Sequence, residues 1–196
     1  MKISVYIATS LDGFIARSDG GLDWLQHDPG ERVGGLDTFQ AEPDIEDYGF
    51  NTFFQSIDTM VMGRGTYEFV ADTGQWIYEG KRTIVLSSTL SEGDIAKHLS
   101  GKLEVLSAEP SDLVKKLEAE GAARVYIDGG VTIQRFLRAG LVDELIVSRM
   151  PVLLGSGIPL FGELNTDVLF DHVETRGYSS GLVQSRDAAR REPAVD

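Results

Sequence analysis

Two stretches of the chain share one design: TMVMGRGTYE at residues 59–68 and RVYIDGGVTI at residues 124–133. Each begins with a short apolar run and passes through one or two glycines into a segment with helical spacing. A buried strand that turns at glycine into a helix is the repeating unit of a parallel sheet. The two stretches therefore predict an α/β fold.

The remaining segments extend this alternation and then change it. Further strands are predicted at 2–9, 82–87 and 103–106, and helices at 111–120 and 131–139. In the C-terminal third, residues 143–149, 168–176 and 180–186 have strand patterns with no helix between them. We therefore expect a mixed, mostly parallel central sheet flanked by helices, with an antiparallel C-terminal edge.

Length and composition are those of one globular domain. The chain has 196 residues, of which 42% are hydrophobic and 25% charged. A chain of this size can bury a core without disulfides or metals. We expect a single domain over residues 1–187, followed by a polar tail over 188–196.

The charge and the rare residue types exclude several functions. The formal net charge is −13, which argues against binding to nucleic acids and to anionic membranes. No run of 18 apolar residues is present to span a bilayer. The chain has no cysteine and three widely spaced histidines, so we expect no metal site. The N-terminus lacks the pattern of a signal peptide, and we expect a cytoplasmic protein.

An acidic segment lies between Asp19 and Asp47, with nine acidic residues and one arginine. One interpretation is a solvated insertion rich in loops. The other is a wall of a site whose ligand is neutral or cationic.

Ligands of open α/β sheets bind beyond the carboxyl ends of the strands, where this chain has its glycines. After the first stretch, the helix N-terminus and the guanidinium of Arg64 suit a phosphate. After the second, Gly129 and Gly130 would let a pyrophosphate approach backbone N–H groups, although the spacing is not that of a Rossmann fingerprint. Each feature alone also fits an ordinary turn. Together with Ser87 and Ser88 they predict a dinucleotide site, and Arg64 favours NADPH.

The loop after the first strand has two interpretations. Residues 12–16 and 20–25 contain glycines, acids and aromatics. They predict either a lid, with Phe14 or Trp24 against a flat ring, or a tight turn with Trp24 as a core anchor.

Taken in order, these segments resemble the dihydrofolate reductase-like superfamily over residues 2–186. The resemblance rests on residues 8–16, Trp24, 61–68, 84–88 and 128–133. Residues 151–160 are most similar to bacterial proteins with the reductase domain of riboflavin biosynthesis.

The resemblance implies an NADPH-dependent reductase and a set of cofactor residues. These are Ala8 and Ile15 at the nicotinamide, Gly63, Arg64, Gly65 and Thr66 at the 2′-phosphate and pyrophosphate, Ser87 and Ser88 at the adenosine, and Gly129, Gly130, Val131, Thr132 and Ile133 at the pyrophosphate. It also implies a cis peptide between Gly129 and Gly130, and a substrate pocket with Phe14, Trp24 and Tyr48.

The proton donor and the substrate are less defined. The acid that dihydrofolate reductase carries on the helix after its lid tryptophan would fall near Pro29, where no acid aligns. Asp23 and Asp28 are the candidate catalytic acids, with water or Tyr48 as the fallback. The substrate-binding element of the riboflavin-pathway enzyme is absent from the sequence.

These observations predict a reductase of a small heterocyclic or carbonyl substrate. The alternatives are the riboflavin-pathway 5-amino-6-(5-phosphoribosylamino)uracil reductase and a non-catalytic nucleotide-binding module. Relatives in this superfamily often form homodimers, and residues 145–147 and 152–154 would serve either a dimer contact or the core.

Overall fold

One eight-stranded sheet organises the chain. The computed structural model describes residues 1–26, 47–74, 76 and 78–191. Its strands are β1 Lys2–Thr9, β2 Phe14–Ala16, β3 Thr59–Gly63, β4 Arg82–Leu86, β5 Glu104–Leu106, β6 Arg124–Asp128, β7 Glu144–Arg149, β8 Ile158–Pro159, β9 Phe170–Gly177 and β10 Val183–Ala189. The large sheet has the order β5-β4-β3-β6-β1-β7-β10-β9, and β2 pairs with β8 beside it.

The sheet is parallel from β5 to β7 and antiparallel at β10 and β9. This confirms the predicted mixed sheet with an antiparallel C-terminal edge. The antiparallel edge follows from the chain itself, because a turn at Tyr178–Gly181 joins β9 directly to β10. The parallel part needs crossovers, which contain α-helices except between β4 and β5, where the chain forms two 3-10 turns.

Four described helices cover the two faces of the sheet. They are α1 Phe50–Ser56, α2 Arg64–Asp72, α3 Pro110–Ala119 and α4 Gly130–Arg138. Side chains of α3 and α4 pack with Val5, Val61 and Ile127 on one face. Side chains of α1 and α2 pack with Met60, Met62 and Tyr126 on the other. The central strands are apolar throughout because both of their faces are buried.

Several boundaries differ from the predicted ones. The strands β2 and β8 were not expected, because segments of three and two residues carry too little periodicity to be recognised. The helix expected near Pro29 lies outside the described residues, and α1 begins at Phe50. Strand β10 continues to Ala189, so the first two residues of the expected tail belong to the sheet.

The segment 145–147 belongs to the core and not to a backbone contact between subunits. It lies in β7, which pairs with β1 on one side and with β10 on the other. No backbone group of this strand segment is free to pair across a two-fold axis, so the core interpretation holds. The homodimer itself stays a prediction. None of the described helices is long and apolar enough to cross a membrane.

Candidate active site

A cavity of about 710 Å³ opens at the carboxyl ends of the central strands. Its wall contains all of the predicted cofactor residues except Ile133, namely Ala8, Ile15, Gly63, Arg64, Gly65, Thr66, Ser87, Ser88, Gly129, Gly130, Val131 and Thr132. Residues far apart in sequence meet here because parallel strands end at the same edge of the sheet.

Ile133 does not take part in this wall. Its side chain is fully buried in the core between α4 and the sheet. Its backbone N–H donates to the carbonyl oxygen of Gly129 at 2.9 Å, so that group is not free to bind a phosphate. Ile133 is therefore a packing residue of the first turn of α4, and its inclusion in the pyrophosphate site is corrected.

The two glycine junctions interlock. A Cβ atom added to Gly63 would lie 2.6 Å from Oγ1 of Thr132, and one added to Gly129 would lie 2.4 Å from Oγ1 of Thr66. Gly129 also has a φ of 90°, which favours glycine. Each junction thus needs a glycine for the other to approach it. The Gly129–Gly130 bond is trans, contrary to the expected cis bond.

Two helices begin at the cavity without side-chain caps. Gly63 is the N-cap of α2 and Gly129 is the N-cap of α4, and neither position supplies a capping side chain. The first backbone N–H groups of a helix lack intrahelical partners and carry the positive end of the helix dipole. Two such ends on one cavity form a site suited to a pyrophosphate.

Arg64 lies at the outer end of the same wall. Its guanidinium donates to Glu68 at 2.6 Å and to Oγ1 of Thr89 at 3.0 Å. The side chains of Arg64 and Glu68 are each 49% exposed, so this ion pair is weak and a phosphate can displace Glu68. The hydroxyl of Ser87 binds the backbone N–H of Thr89, which holds this turn beside the guanidinium.

Apolar residues form the wall near the end of β1. Ala8 and Ile15 line the cavity there, together with Leu22 and Leu25. Cδ1 of Ile15 would lie 3.1 Å from a Cβ added to Gly130. Strand β2 therefore packs close to the glycine junction between β6 and α4. An apolar wall of this kind limits the access of water to a ligand bound here.

Among the described residues, Asp128 is the acid that lines this cavity. Its carboxyl accepts a hydrogen bond from the Gly129 N–H at 2.8 Å, and among the described residues it has no ion pair. Burial raises the pKa of Asp128 to about 6. A carboxyl with this pKa exchanges protons near neutral pH.

Three tyrosines surround the same part of the cavity: Tyr6, Tyr78 and Tyr126. Burial raises the pKa of Tyr6 to about 12 and also raises the pKa values of Tyr78 and Tyr126. All three hydroxyls therefore stay protonated at neutral pH. They can donate hydrogen bonds and do not act as bases.

Asp23, one of the two expected acids, is not part of this wall. Asp23 forms a bidentate pair with Arg17 at 2.7 and 2.9 Å, and its side chain is 67% exposed. The pair lowers the pKa of Asp23, which makes it a poor proton donor. Asp28 lies outside the described residues. Among the residues that the structure describes, no group of three acids or histidines could hold a metal ion.

The three expected substrate-pocket aromatics do not line the cavity. Trp24 is 3% exposed and packs with Met150, Tyr178 and Leu182, so it is a core anchor, and its neighbour Leu25 faces the cavity instead. Phe14 lies in β2 opposite Pro159.

Tyr48 contributes through its backbone. Its carbonyl oxygen accepts the hydroxyl of Tyr6 at 2.6 Å, and its ring packs against Tyr178. Tyr48 thus orients Tyr6, which lines the cavity, although Tyr48 does not line it.

Three residues that line the cavity, Tyr6, Tyr126 and Asp128, are not among the predicted site residues, although the alternation of the strands places them on one face of the sheet. The alternation of β6 places Tyr126 and Asp128 on one face, and the parallel alternation of β1 places Tyr6 on the same face. The motif by itself marks Asp128 only as the residue before the two glycines. Tyr78 had no such signal, because it lies in the irregular segment between α2 and β4.

Sequence comparisons identify the family of the chain and a relative. The sequence model of the RibD C-terminal domain family matches residues 1–184. The uncharacterized protein YwjB of Bacillus subtilis is 33% identical over 168 residues, which cover 85% of this chain and 86% of YwjB.

Solved structures show the same fold. The crystal structure of a protein from Shewanella sp. PV-4, provisionally named for riboflavin biosynthesis, has a TM-score of 0.82 and 35% identity, with 97% of this chain and 100% of that chain covered. Dihydrofolate reductase from Enterococcus faecalis, complexed with NADP(H), has a TM-score of 0.61 and 15% identity, with 97% of both chains covered. The fold is therefore dihydrofolate reductase-like, as expected from the sequence.

Proposed function

The chain belongs to the RibD C-terminal domain family, and from this premise we propose that it is an NADPH-dependent reductase of a small heterocyclic or carbonyl substrate. The observation that carries the proposal is the convergence of two uncapped helix N-termini and Arg64 on one cavity. A dinucleotide with two backbone phosphates and a third phosphate on its ribose matches these three features.

The chain's own residues would hold the cofactor along this wall. The N–H groups of the first turns of α2 and α4 bind the pyrophosphate, Arg64 binds the 2′-phosphate, and Ser87 and Ser88 lie at the adenosine. Ala8 and Ile15 pack against the nicotinamide. Bound NADPH supplies the hydride, and the protein supplies orientation and a site that excludes water.

Asp128, in place of Asp23 and Asp28, holds the proton that a reduction of a C=O or C=N bond requires. With a pKa of about 6, roughly a tenth of its carboxyls are protonated at neutral pH. Tyr126 and Gly129 contact the carboxyl and fix its position at the end of β6.

A second candidate is the riboflavin-pathway 5-amino-6-(5-phosphoribosylamino)uracil reductase. Membership of the RibD C-terminal domain family favours it, as does the Shewanella structure. Steady oxidation of NADPH with that pyrimidine would support this candidate. NADPH binding without oxidation by any carbonyl or heterocycle would support the non-catalytic nucleotide-binding module.

Calorimetric titration with NADPH and NADH tests the proposed cofactor. Arg64→Ala should weaken NADPH by about 1.5–3 kcal/mol, which is about 10- to 150-fold, because a charge-assisted hydrogen bond is lost. The affinity for NADH should change less than about two-fold.

The matched control is Arg138→Ala, which removes an exposed arginine of α4 outside the cavity wall. It should leave both affinities unchanged. An equal loss of NADPH and NADH in Arg64→Ala would remove Arg64 from the 2′-phosphate site.

A further inference from the structure

We propose that the substrate of this site is uncharged and carries no phosphate, and that the hydroxyl of Tyr78, beside Asp128, selects it. This inference rests on the proposed reductase function and narrows it to one class of substrate. Four observations carry it: the position of the cations, the charge at the inner end of the cavity, the bonding of the tyrosine hydroxyls and the fixed ring of Tyr78.

The cations of the cavity wall lie at its cofactor end. Among the described residues that line the cavity, only Arg64 and Arg135 are cationic. Arg64 reaches Thr89, just beyond β4, and Arg135 donates to the carbonyl oxygen of Ala108, just beyond β5. In the sheet order β5-β4-β3-β6-β1, these two contacts lie on the side away from β6 and β1.

The inner end of the cavity is polar and acidic. It is formed by Asp128 at the end of β6, by Tyr126 and Tyr6 on the same sheet face, and by Tyr78. A substrate phosphate here would add a further negative charge beside the carboxylate of Asp128 and the proposed cofactor pyrophosphate, and it would meet no described cation. Like charges repel strongly where water is excluded, so a phosphorylated substrate is disfavoured.

The hydroxyl of Tyr78 is the group left to meet a substrate. Tyr6 donates to Tyr48 at 2.6 Å, and Tyr126 donates to the Tyr6 carbonyl at 2.9 Å. Tyr78 is 4% exposed and lines the cavity, yet within the described part of the chain its hydroxyl has no hydrogen-bond partner. A hydroxyl that faces a cavity without a protein partner is available to form a hydrogen bond with a substrate.

The ring of Tyr78 is held in place by its neighbours. Its centroid lies 5.3 Å from that of Trp76, edge to face, and 6.2 Å from that of Phe54. Asp128 lines the same cavity as Tyr78. Together they present one hydroxyl and one carboxyl to a substrate, which suits an uncharged ring or carbonyl compound with its own donors and acceptors.

Matched pairs of compounds that differ only in a phosphate test the substrate class. Suitable pairs are uridine and uridine 5′-phosphate, riboflavin and riboflavin 5′-phosphate, and 5-amino-6-(5-phosphoribosylamino)uracil before and after phosphatase treatment. Binding of each compound to the NADPH-loaded protein is measured by saturation-transfer NMR and by quenching of tryptophan fluorescence. In at least one pair the unphosphorylated member should bind at least about ten-fold more tightly, and in no pair should the phosphorylated member be preferred.

The Tyr78→Phe variant tests the selecting group. It removes only the hydroxyl and should weaken the unphosphorylated compound about five- to twenty-fold while the affinity for NADPH is unchanged. The matched control is Tyr67→Phe, whose buried hydroxyl accepts the Ala96 N–H away from the cavity wall and should not affect binding of the compound.

The outcomes separate this inference from the proposed function. Tighter binding of a phosphorylated member overturns the inference, as does the binding of no member while NADPH still binds. Unchanged affinity in Tyr78→Phe overturns the role of Tyr78. Failure of NADPH itself to bind overturns the proposed function instead.

Discussion

Glu144 and Asp128 occupy opposite ends of the same sheet face and have opposite environments. Glu144 begins β7, and its side chain is 2% exposed and pairs with Lys2, Arg124 and Arg186. Although burial acts against ionisation, these partners hold the pKa of Glu144 down at about 2. Asp128 ends β6 without a described cation, and burial raises its pKa to about 6.

The difference separates an acid that stabilises the sheet from the acid that we propose as the proton donor. At the amino ends of the strands, charges are matched and hold β1, β6, β7 and β10 together. At the carboxyl ends, Asp128 is partly buried, accepts a hydrogen bond from the Gly129 N–H and contacts Tyr126, but no described cation balances its charge. A carboxyl in such a site costs stability when it is charged, and groups of this kind are concentrated at functional sites.

The largest effect is expected at the structural acid. Glu144→Gln should lower the free energy of unfolding by about 3 kcal/mol, because three cations lose their buried counter-charge. Urea denaturation near neutral pH measures this loss. The matched control is Glu174→Gln, an acid of the exposed edge strand β9, which should cost less than about 0.5 kcal/mol. Equal losses of unfolding free energy in the two variants would show that Glu144 has no special structural role at the amino ends of the strands.

The next effect concerns reduction. Asp128→Asn keeps the acceptor for the Gly129 N–H but removes the titrating proton, and it should slow NADPH oxidation about 100-fold with whichever compound the enzyme reduces. The wild-type rate should fall as the pH rises through about 6, because the protonated carboxyl is lost. Tyr78 and Tyr126, which face this group, stay neutral across that range.

The control for this effect is Asp128→Glu, which retains a carboxyl and should recover part of the rate. A variant Asp128→Asn with the wild-type rate and pH profile would exclude Asp128 as the proton source.

The smallest expected effect is again on the free energy of unfolding, which Asp128→Asn should raise, whereas Glu144→Gln should lower it. Because folding raises the pKa of Asp128 above its usual value, the stability linked to this group is full below about pH 4 and is lost as the pH rises through about 6. Asp128→Asn should therefore be more stable than the wild type by about 1–3 kcal/mol at about pH 8. Urea denaturation at about pH 8 and about pH 5 should show that gap narrowing at the lower pH. A gap that widens instead would contradict the raised pKa.

The sequence predicts the glycine junctions and the parallel sheet because both depend on local patterns. The apolar runs before Gly63 and Gly129 and the helical spacing after them define two units that must pack side by side. The side chains that complete the site follow from tertiary packing. In the 3-10 turn Asp23–Gln26, a rotation of one residue decides that Leu25, and not Trp24, faces the cavity.

Asp23 and Tyr78 also show that tertiary contacts cannot be predicted from local sequence patterns. Asp23 had the right chemistry for a catalytic acid, but Arg17 lies within reach of it across the turn. Tyr78 had no pattern to mark it, since its position depends on the packing of an irregular segment against α1. Composition and periodicity carry no information about either contact.

The central claim is that a reduced pyridine dinucleotide lies across the carboxyl ends of the sheet, with its phosphates at both glycine junctions. A ¹H–¹⁵N NMR titration with NADPH tests it residue by residue. We expect the backbone amides of Gly65, Gly129 and Gly130 to shift, and those of Ser4 and Arg186 beside Glu144 to stay unchanged. Shifts confined to the amino ends of the strands, or no shifts at a millimolar concentration of NADPH, would contradict the claim.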